Sequence, residues 1–294
     1  MKFFKLFLIF SVAALPLSAY HTEQKVTSAV RASAAPEIDG AIQDEIWQKL
    51  PPLTDFIQVR PYNGSAPTKK TVVKTTYDDD AFYMLAILYD FPDSIYTELG
   101  TRDSYDDISS DLFEIQITPY EESMVSYFFT VSASGVQSDF IYSSEGRDRG
   151  ADAVWDSAIR LFDEGWIAEI KIPYSALRFP KKDVQDWGIN FYRTIKRKEE
   201  KSSWNYVNNE FDQWWTQTGK VKNIEKINPP MRLSFMPYVS GYLESNESGT
   251  GSNYNGGMDM KLGISESFTL DMTLIPDFGR SEEHTSELQS LLII

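Results

Sequence analysis

The chain contains no cysteine and only two histidines among its 294 residues. The lack of cysteine excludes disulfides, thiolate nucleophiles and cysteine-ligated zinc or iron–sulfur sites. His21 and His284 lie near the two ends, in segments that we expect to remain outside the folded body. Histidine-assisted hydrolysis and histidine-ligated metals are therefore excluded as well. The chemistry that remains must use carboxylates, tyrosine, lysine, arginine and aromatic faces.

Positive charge is also scarce, because 28 Lys and Arg stand against 43 Asp and Glu and give a net charge of −15. This balance opposes binding to a phosphate backbone, which depends on clustered cations. We therefore expect no nucleic-acid partner. Apolar residues make up 42% of the chain and aromatic residues 14%, so the chain can bury the core of one large domain or two ordinary ones.

The first 19 residues have the pattern of a secretory signal peptide. Lys2 and Lys5 precede an apolar run over residues 6–17, and a small-residue cleavage pattern ends at Ala19. The run is too short to span a bilayer. We therefore predict an exported protein. Because an exported chain without cysteine points to a bacterial envelope, we expect it in the outer membrane or periplasm of a Gram-negative bacterium.

The last 15 residues share no pattern with the body that precedes them. Residues 280–290 read RSEEHTSELQS, which resembles, residue for residue, the in-frame translation of a common short-read sequencing adapter. We expect that the natural protein continues past Gly279 and that residues 280–294 are an adapter-derived artefact. The alternative is a real tail that forms a short amphipathic helical turn.

Residues 35–228 consist of short β-rich runs separated by turn residues, which is typical of an antiparallel β-sandwich. Eight or nine strands are predicted, enough for two packed sheets. The fold class is therefore all-β. The main predicted strands are residues 71–77, 81–89, 112–118, 126–132, 137–143, 158–162, 165–172 and 187–196.

One of these strands, residues 112–118, shows a clear two-sided pattern. Phe113 and Ile115 alternate with Glu114 and Gln116, so one face of the strand should be buried and the other wet.

One short helix is predicted over residues 42–50, because Ile42, Ile46 and Trp47 fall on one face. Trp47 and Trp166 both have aliphatic neighbours in periodic patterns, so we expect both in the core.

The pattern changes after Pro229 and Pro230, which interrupt helices and ladder pairing and so predict a domain boundary. Residues 231–279 contain long segments in which apolar residues alternate with polar or small ones, with a Gly/Ser/Asn-rich connection over residues 246–257. This pattern is typical of the first strands of an outer-membrane β-barrel, here truncated. The alternative is two more strands of the sandwich.

Four segments together resemble the family 9 carbohydrate-binding modules, in the form that is fused to outer-membrane barrels of Bacteroidetes-type proteins. The segments read PEIDG with DEIW, YDDDAFY, GWIAEIKIP with LRF, and WGINFYR, and they span roughly residues 35–225 in order. The resemblance implies a secreted β-sandwich that binds sugar ends or chains and is often attached to glycan-degrading machinery. The segment LIPDFG, at residues 274–279, resembles an early part of the barrel domain that follows such modules.

Sugar recognition needs flat apolar surfaces for pyranose rings and planar polar groups for hydroxyls. Modules of this family stack sugars on tryptophans, and the matching region here covers residues 204–215. Adjacent Trp214 and Trp215 should point to opposite faces if they lie on a strand, so that one ring is exposed or in a groove. The candidate carbohydrate-binding residues are Trp204, Trp214, Trp215, Tyr105, Asp103, Asp106 and Arg193.

The acidic loop over residues 102–111 could ligate calcium, a hard cation that takes several oxygen ligands. Asp106, Asp107 and Asp111 are the candidate ligands. The loop lacks the glycine and the terminal glutamate of an EF-hand, and a solvated acidic loop is the alternative. We expect either that the protein needs no cofactor or that it binds calcium at this loop.

Three functions follow from these patterns. The first is binding of a poly- or oligosaccharide without catalysis, associated with glycan degradation or uptake at the outer membrane. The second is a structural plug or assembly domain for the barrel, in which the late tryptophan rings would be buried against protein. The third is a glycoside hydrolase, which needs two facing carboxylates. Glu169, the acid nearest to aromatic residues, is expected to be solvated or paired with Lys171 or Arg193.

Overall fold

The computed structural model describes residues 23–120, 125–150, 152–229, 232–246, 249–263 and 269–274. The described chain is nearly all β-structure, as predicted, and contains a single short α-helix, α1 (Glu45–Lys49). Its sixteen strands are β1 (Val26–Ser28), β2 (Ile57–Arg60), β3 (Thr71–Tyr77), β4 (Ala81–Tyr89), β5 (Leu112–Thr118), β6 (Ser126–Ser132), β7 (Gln137–Ser143), β8 (Gly146–Asp148), β9 (Asp156–Phe162), β10 (Gly165–Pro173), β11 (Val184–Ile195), β12 (Glu200–Ser203), β13 (Gly219–Glu225), β14 (Arg232–Asn246), β15 (Gly249–Gly263) and β16 (Thr269–Leu274).

Two sheets form the sandwich. The larger sheet has nine strands, in the order β1-β13-β11-β5-β6-β7-β8, with β12 beside β11 and β2 beside β12. The smaller sheet has the order β3-β4-β10-β9. The pair of β1 and β13 is parallel, whereas the neighbouring pairs within both sheets are antiparallel. Hairpins and short connections therefore build most of the fold.

The core lies between the two sheets and is filled by alternate residues of their inner faces. Phe113, Ile115 and Ile117 of β5 are fully buried there, which confirms the predicted inner face of this strand. Trp166 of β10 is also in this core, as predicted. Burial of such large apolar side chains is the main favourable term in the stability of the sandwich.

The turn between β3 and β4 shows why an acidic triplet occurs in a hairpin. One carboxylate oxygen of Asp78, Oδ1, accepts hydrogen bonds from the backbone N–H groups of Asp80 and Ala81 at 2.8 and 2.9 Å. Aspartate in this position replaces backbone partners that a tight turn cannot supply. Contacts from other elements add to these local bonds, because the Tyr174 N–H donates to the Asp80 carbonyl oxygen at 3.0 Å and Arg31 Nη1 donates to Asp79 Oδ1 at 2.8 Å.

The outer face of the smaller sheet is covered by the segment of residues 36–50, which we call the roof segment. It contains α1, which is shorter than the predicted helix over residues 42–50. Asp44 precedes the helix, but its Oδ2 accepts the N–H of Glu37 at 2.9 Å instead of capping the first turn. Trp47 is fully buried against Tyr83 and Leu85, as its pattern predicts.

A separate three-stranded antiparallel sheet, β14-β15-β16, follows the sandwich in sequence. Its register places Phe235 beside Met260, and Met260 beside Met272, on one face. Asp259 and Thr273 stand side by side on the other face. This sheet thus has one apolar and one more polar side.

Among the described residues, no helix is long and apolar enough to cross a bilayer. The predicted signal peptide and residues 280–294 lie outside the described residues.

Candidate functional site

The outer face of the larger sheet carries a cluster of aromatic side chains that the core does not use. We call it the aromatic face. It is built on β5, β6, β7 and β11 and is partly covered by the chain segments around residues 105 and 207–216. Its rings are Tyr105, Phe128, Phe140, Tyr142, Tyr192, Trp214 and Trp215.

Strand register arranges this face in rows. In one row, Glu114 of β5 stands beside Thr130 of β6, which stands beside Ser138 of β7. In the next row, Gln116 stands beside Phe128, which stands beside Phe140. Directly opposite residues in an antiparallel sheet point to the same side. A row of hydrogen-bonding side chains therefore lies next to a row of rings.

The polar residues of this face are buried, although the sequence predicts a wet face for β5. Glu114 and Gln116 are almost inaccessible to solvent. The loop with Trp215 covers Gln116, whose Nε2 donates to the Trp215 carbonyl oxygen. The Tyr192 hydroxyl donates to Gln116 Oε1 at 2.8 Å. The predicted alternation of β5 is therefore correct, but its polar face is buried because a loop covers it.

One part of the aromatic face remains open. Tyr105, Tyr142 and Trp214 are half-buried, whereas Phe128 and Phe140 beneath them are fully covered. Tyr105 stacks on Phe140 at 5.8 Å between ring centroids and with an interplanar angle of 10°. Trp214 meets Tyr142 edge-on at 5.4 Å. Accessible rings that rest on fixed rings form a rigid platform.

Cations lie directly against these rings. The Arg147 guanidinium carbon is 4.3 Å from the centroid of Phe140 and 5.2 Å from that of Tyr105. The Lys201 ammonium group is 4.6 Å from the Tyr192 centroid and 5.9 Å from that of Trp214. A cation over an aromatic face is attracted by the negative charge of the ring face. These contacts fix the long side chains beside the open rings.

Each of these cations is also paired with a carboxylate. Lys201 Nζ is 2.8 Å from Glu114 Oε1. Arg147 and Arg149 both reach Asp106 Oδ2, at 2.8 and 2.5 Å. Charge-assisted hydrogen bonds of this kind orient both partners. The charged side chains at the rim of the aromatic face are therefore held in defined positions.

Two hydroxyls at this face have unused hydrogen-bonding capacity. Ser138 Oγ is buried and has no hydrogen-bond partner among the described residues. The Tyr105 hydroxyl also makes no hydrogen bond of normal geometry within the described chain. Burial, and after it the nearby Glu114 carboxylate, raise the pKa of the Tyr105 hydroxyl well above its usual value. It therefore remains protonated and is a donor.

The structure shows that the three predicted tryptophans differ in their exposure to solvent. Trp204 is only 4% exposed and packs in the sandwich core against Phe191, at 5.9 Å between ring centroids. A side chain at Gly219 would collide with the Trp204 ring, because a Cβ there would lie 2.6 Å from it. The prediction that the Trp204 ring is available to a ligand is therefore wrong.

The adjacent tryptophans differ in exposure. Trp215 is 7% exposed and enclosed, whereas Trp214 is half-buried at the edge of the aromatic face. They lie on a 3-10 turn (Trp214–Thr216) rather than on a strand. The prediction of an available ring is wrong for Trp215, and Trp214 is the more accessible member of the pair.

Arg193 is an interior residue, so its prediction as a surface sugar contact is wrong. Its Nη1 donates to the carbonyl oxygen of Lys70 and its Nη2 to that of Tyr89, both at 2.9 Å. The guanidinium group thereby ties β11 of the larger sheet to the ends of β3 and β4. Burial lowers the pKa of Arg193 to about 10 despite nearby Asp90.

The acidic loop brings Tyr105 and Asp106 to the aromatic face, whereas Asp103 has a different role. Asp103 Oδ1 accepts the backbone N–H of Asp139 at 3.2 Å, and the Asp103 N–H donates to the Gln137 carbonyl oxygen at 3.0 Å. These bonds dock the loop on the edge of β7. Asp103 thus supports the position of Tyr105.

The predicted calcium ligands do not come together. Asp111 is fully buried, and its Oδ1 accepts the backbone N–H of Lys196 at 2.9 Å. Asp106 is paired with two arginines, and Asp107 is exposed. The described residues contain no group of three or more acidic side chains that could hold a metal ion. The calcium prediction is therefore wrong for these residues, which do not form such a group, and Asp111 and Asp106 contact the Lys196 N–H and two arginines instead.

Glu169 is buried, and the prediction of a solvated or ion-paired side chain is wrong. Its Oε1 accepts the indole N–H of Trp47 at 2.7 Å. Its Oε2 accepts the backbone N–H groups of Asp39 and Gly40 at 3.1 and 3.0 Å. Burial raises the pKa of Glu169, although these three donors oppose the shift. Glu169 anchors the roof segment and is not available for catalysis.

Several site residues were missed from the sequence. Glu114 lies in a strand whose alternate positions are strongly apolar, and that alternation was the available signal. Ser138 has polar neighbours on both sides in β7 and carries no such signal. Lys201 and Tyr142 carry no local pattern, since they reach the site only through strand pairing and loop placement.

The chain matches two protein-family models. Residues 38–222 match the family model described as Carbohydrate family 9 binding domain-like, and residues 229–289 match a domain of unknown function, DUF5916. No curated protein matches the chain.

Two solved structures are similar to the described fold. One is a carbohydrate-binding module of family 9 from Caldicellulosiruptor kristjanssonii in complex with glucose, with 16% identity and a TM-score of 0.50. The alignment covers 70% of this chain and 97% of that module. The other is a protein of Bacteroides uniformis ATCC 8492 whose name attributes carbohydrate binding to it, with 14% identity and a TM-score of 0.54. It aligns over 68% of this chain and 99% of its own. At these identities the likeness establishes the sandwich fold.

Proposed function

We propose, from the premise that this chain belongs to the Carbohydrate family 9 binding domain-like family, that it binds carbohydrate through its aromatic face. The observation that carries the proposal is the half-buried pair Tyr105 and Trp214 beside a row of hydrogen-bonding side chains. Aromatic rings of this kind offer flat apolar area for the C–H faces of a sugar ring, and polar groups fix its hydroxyls. The glucose complex of a similar module is consistent with this chemistry.

The unused hydroxyls strengthen the proposal. A buried polar atom without a partner costs free energy unless a ligand or an ordered water satisfies it. Ser138 Oγ and the Tyr105 hydroxyl are in this condition, and both belong to the aromatic face. Both oxygens are covered in the ligand-free structure, so we propose that the covering side chains shift on binding and that a sugar hydroxyl then supplies the missing partner.

We propose binding without hydrolysis. Glu114 and Asp106, the carboxylates at this face, are both held by cations of the chain itself. They therefore serve to position Lys201 and Arg147. A hydrolase with this site would release new reducing ends from the bound glycan, so incubation with that glycan and an assay for reducing ends separates the two functions.

The test of sugar binding is a glycan array probed with the wild-type protein and with Trp214→Ala and Tyr105→Ala. Loss of a central aromatic contact costs about 2 kcal/mol, or roughly 30-fold in affinity. Phe91→Ala is the matched control, because its ring is 70% exposed but lies outside the aromatic face. Equal signals from the wild type and both site variants would exclude stacking at these rings. A wild type that binds no glycan would leave the structural plug as the function.

We further propose that the three-stranded sheet belongs to a part of the protein that is embedded in the outer membrane. Its apolar side chains are exposed, with Val239 at 87%, Phe235 at 52% and Leu274 at 45%. The opposite side carries Ser240, Asp259 and Thr273 among others. Apolar residues facing lipid and polar residues facing inward alternate in this way in membrane-spanning strands of outer-membrane barrels. This arrangement would hold the sandwich at the membrane, where a glycan-binding module serves degradation or uptake.

Flotation of the protein with vesicles of phosphatidylethanolamine and phosphatidylglycerol tests this second proposal. Met272→Lys places a charge on the apolar side of β16, and Thr273→Lys places the same charge on the other side. A lysine facing lipid costs about 2–4 kcal/mol near the middle of the bilayer. Met272→Lys should therefore reduce flotation while Thr273→Lys should not. Equal flotation of both variants would exclude this orientation.

A further inference from the structure

A cleft on the other side of the sandwich has features of a ligand site. It has a volume of about 550 Å³ and lies where the roof segment begins, beside the first residues of β9. This volume is within the range of roughly 300–1,000 Å³ that is usual for small-molecule sites. Tyr83, Lys171 and Asp156 contribute to its lining and stand in register across β4, β10 and β9.

The walls of the cleft are fixed. The Tyr83 hydroxyl donates to Asp78 Oδ2 at 2.8 Å, which holds the ring in place. Pro36 and Ile38 of the roof segment form an apolar wall. The roof segment is in turn anchored by the hydrogen bonds of Asp39 to Glu169 described above. A site built on strands and held by such supporting contacts is preorganised.

The charged groups of the cleft are unused. Lys171 is half-buried, and no carboxylate of the described chain forms an ion pair with its ammonium group. Asp156, directly opposite on β9, has no ion pair or hydrogen bond of its side chain within the described chain. Ser157 Oγ accepts the side-chain N–H of Gln137 at 2.8 Å, so its own proton is left to donate. Lys171 is therefore a half-buried cation that forms no ion pair within the described chain, although Asp156 stands opposite it on β9.

Lys171, Asp156 and Ser157 together indicate which class of ligand the cleft would bind. A free ammonium group favours a carboxylate, and the adjacent Asp156 and Ser157 favour hydroxyls. We propose that the cleft is a second ligand site, separate from the aromatic face, and that it takes a sugar acid whose carboxylate contacts Lys171 and whose hydroxyls contact Asp156 and Ser157.

The test is calorimetric titration of the complete protein with D-glucuronate, D-glucose and acetate. Glucuronate should bind at least about tenfold more tightly than glucose, because only glucuronate makes the charged contact. Acetate should fail to displace it, since acetate lacks the hydroxyls. Lys171→Met should weaken glucuronate binding at least about tenfold, whereas Lys182→Met, the same change at an exposed lysine, should not.

Other outcomes overturn the proposal. No binding of glucuronate, equal binding of glucose by the Trp214→Ala protein, displacement by acetate, or unchanged glucuronate binding by Lys171→Met would each do so. Asp156→Asn is a second variant at an exposed position, and it should weaken glucuronate binding without altering the fold. Trp214→Ala should leave glucuronate binding unchanged, so this site and the aromatic face can fail independently.

Discussion

The two outer faces of the sandwich are covered in opposite ways. Over the smaller sheet, the roof segment encloses Trp47 completely, and every oxygen of the buried Glu169 carboxylate accepts hydrogen bonds. Over the larger sheet, the loops leave Tyr105 and Trp214 half-buried and leave Ser138 without a hydrogen-bond partner among the described residues. A satisfied face stabilises the fold. A face with open rings and unused hydroxyls retains capacity for a ligand.

The comparison also explains why aromatic residues alone do not identify a site. Both faces contain buried tryptophan, and Trp47 and Trp215 are enclosed to a similar degree. The indole N–H of Trp47 has a carboxylate partner within the chain. What distinguishes the aromatic face is the presence of accessible rings next to polar atoms whose bonding is incomplete. Function is therefore inferred from unused bonding capacity and not from residue type.

The largest expected effect is at the roof segment. Glu169→Ala should lower the free energy of unfolding by about 3 kcal/mol, because it leaves the buried Trp47 indole N–H and the Gly40 N–H without their acceptor. Urea unfolding measures the change. Glu164→Ala, at an exposed acid in the preceding turn, should have little effect. Equal stability of the two variants would contradict the anchoring role.

The next effect separates the adjacent tryptophans. Trp215→Ala should lower the free energy of unfolding by about 3 kcal/mol, because it empties an enclosed space. Trp214→Ala should lower the free energy of unfolding clearly less, because that ring is half-buried, but it should weaken glycan binding by roughly 30-fold. Thermal unfolding and glycan binding of both variants measure the two effects. A larger loss of stability in Trp214→Ala than in Trp215→Ala would contradict the enclosed position of Trp215.

A smaller effect is the pH dependence that Glu169 imposes on stability. Burial raises its pKa in the folded state above the ordinary value of 4.5. The stability it contributes is therefore complete below pH 4.5 and is lost as the pH rises through the folded-state pKa, since the unfolded chain releases its proton first. The free energy of unfolding of the wild type relative to Glu169→Gln should fall over this window. Urea unfolding between pH 4 and 7 checks it, and a constant difference would exclude the linkage.

The smallest expected effect is at Ser138. Ser138→Ala removes a buried hydroxyl that has no partner among the described residues, so the ligand-free protein should be equally stable or slightly more stable. The same variant should weaken binding of the glycan, because one ligand contact is lost. Thermal unfolding with and without glycan measures both. A clear loss of stability without ligand would show that Ser138 has a structural partner instead.

Much of the sandwich could be predicted from local patterns. The predicted residues 71–77, 81–89, 112–118, 126–132 and 137–143 have the same bounds as β3, β4, β5, β6 and β7. Turn residues and two-residue alternation define such strands locally. The strands β1, β2, β8, β12 and β13 were missed. The first four have only three or four residues, which carry too little pattern and form only where a neighbouring strand is available.

The candidate site was harder to predict because it depends on contacts distant in sequence. Trp204 has polar neighbours along the chain, yet it follows β12 into the core and contacts Phe191. Arg193 resembles a solvated cation, but its length lets it cross to the carbonyl oxygens of the other sheet. Tyr105 lies against the aromatic face, because a loop that precedes a strand reaches the rim of a sandwich, and its role in sugar binding stays a prediction. The solvent exposure of a side chain and its hydrogen-bond partners depend on the folded chain. The periodicity of the sequence does not determine them.

The most direct measurement is the change in tryptophan fluorescence when the best glycan from the array is titrated into the wild type and into Trp214→Phe. The variant keeps an aromatic ring and should still bind, with reduced affinity. If the sugar rests on Trp214, the ligand-induced change in fluorescence will be present in the wild type and absent in Trp214→Phe. An unchanged fluorescence response in the variant would contradict carbohydrate binding at the aromatic face.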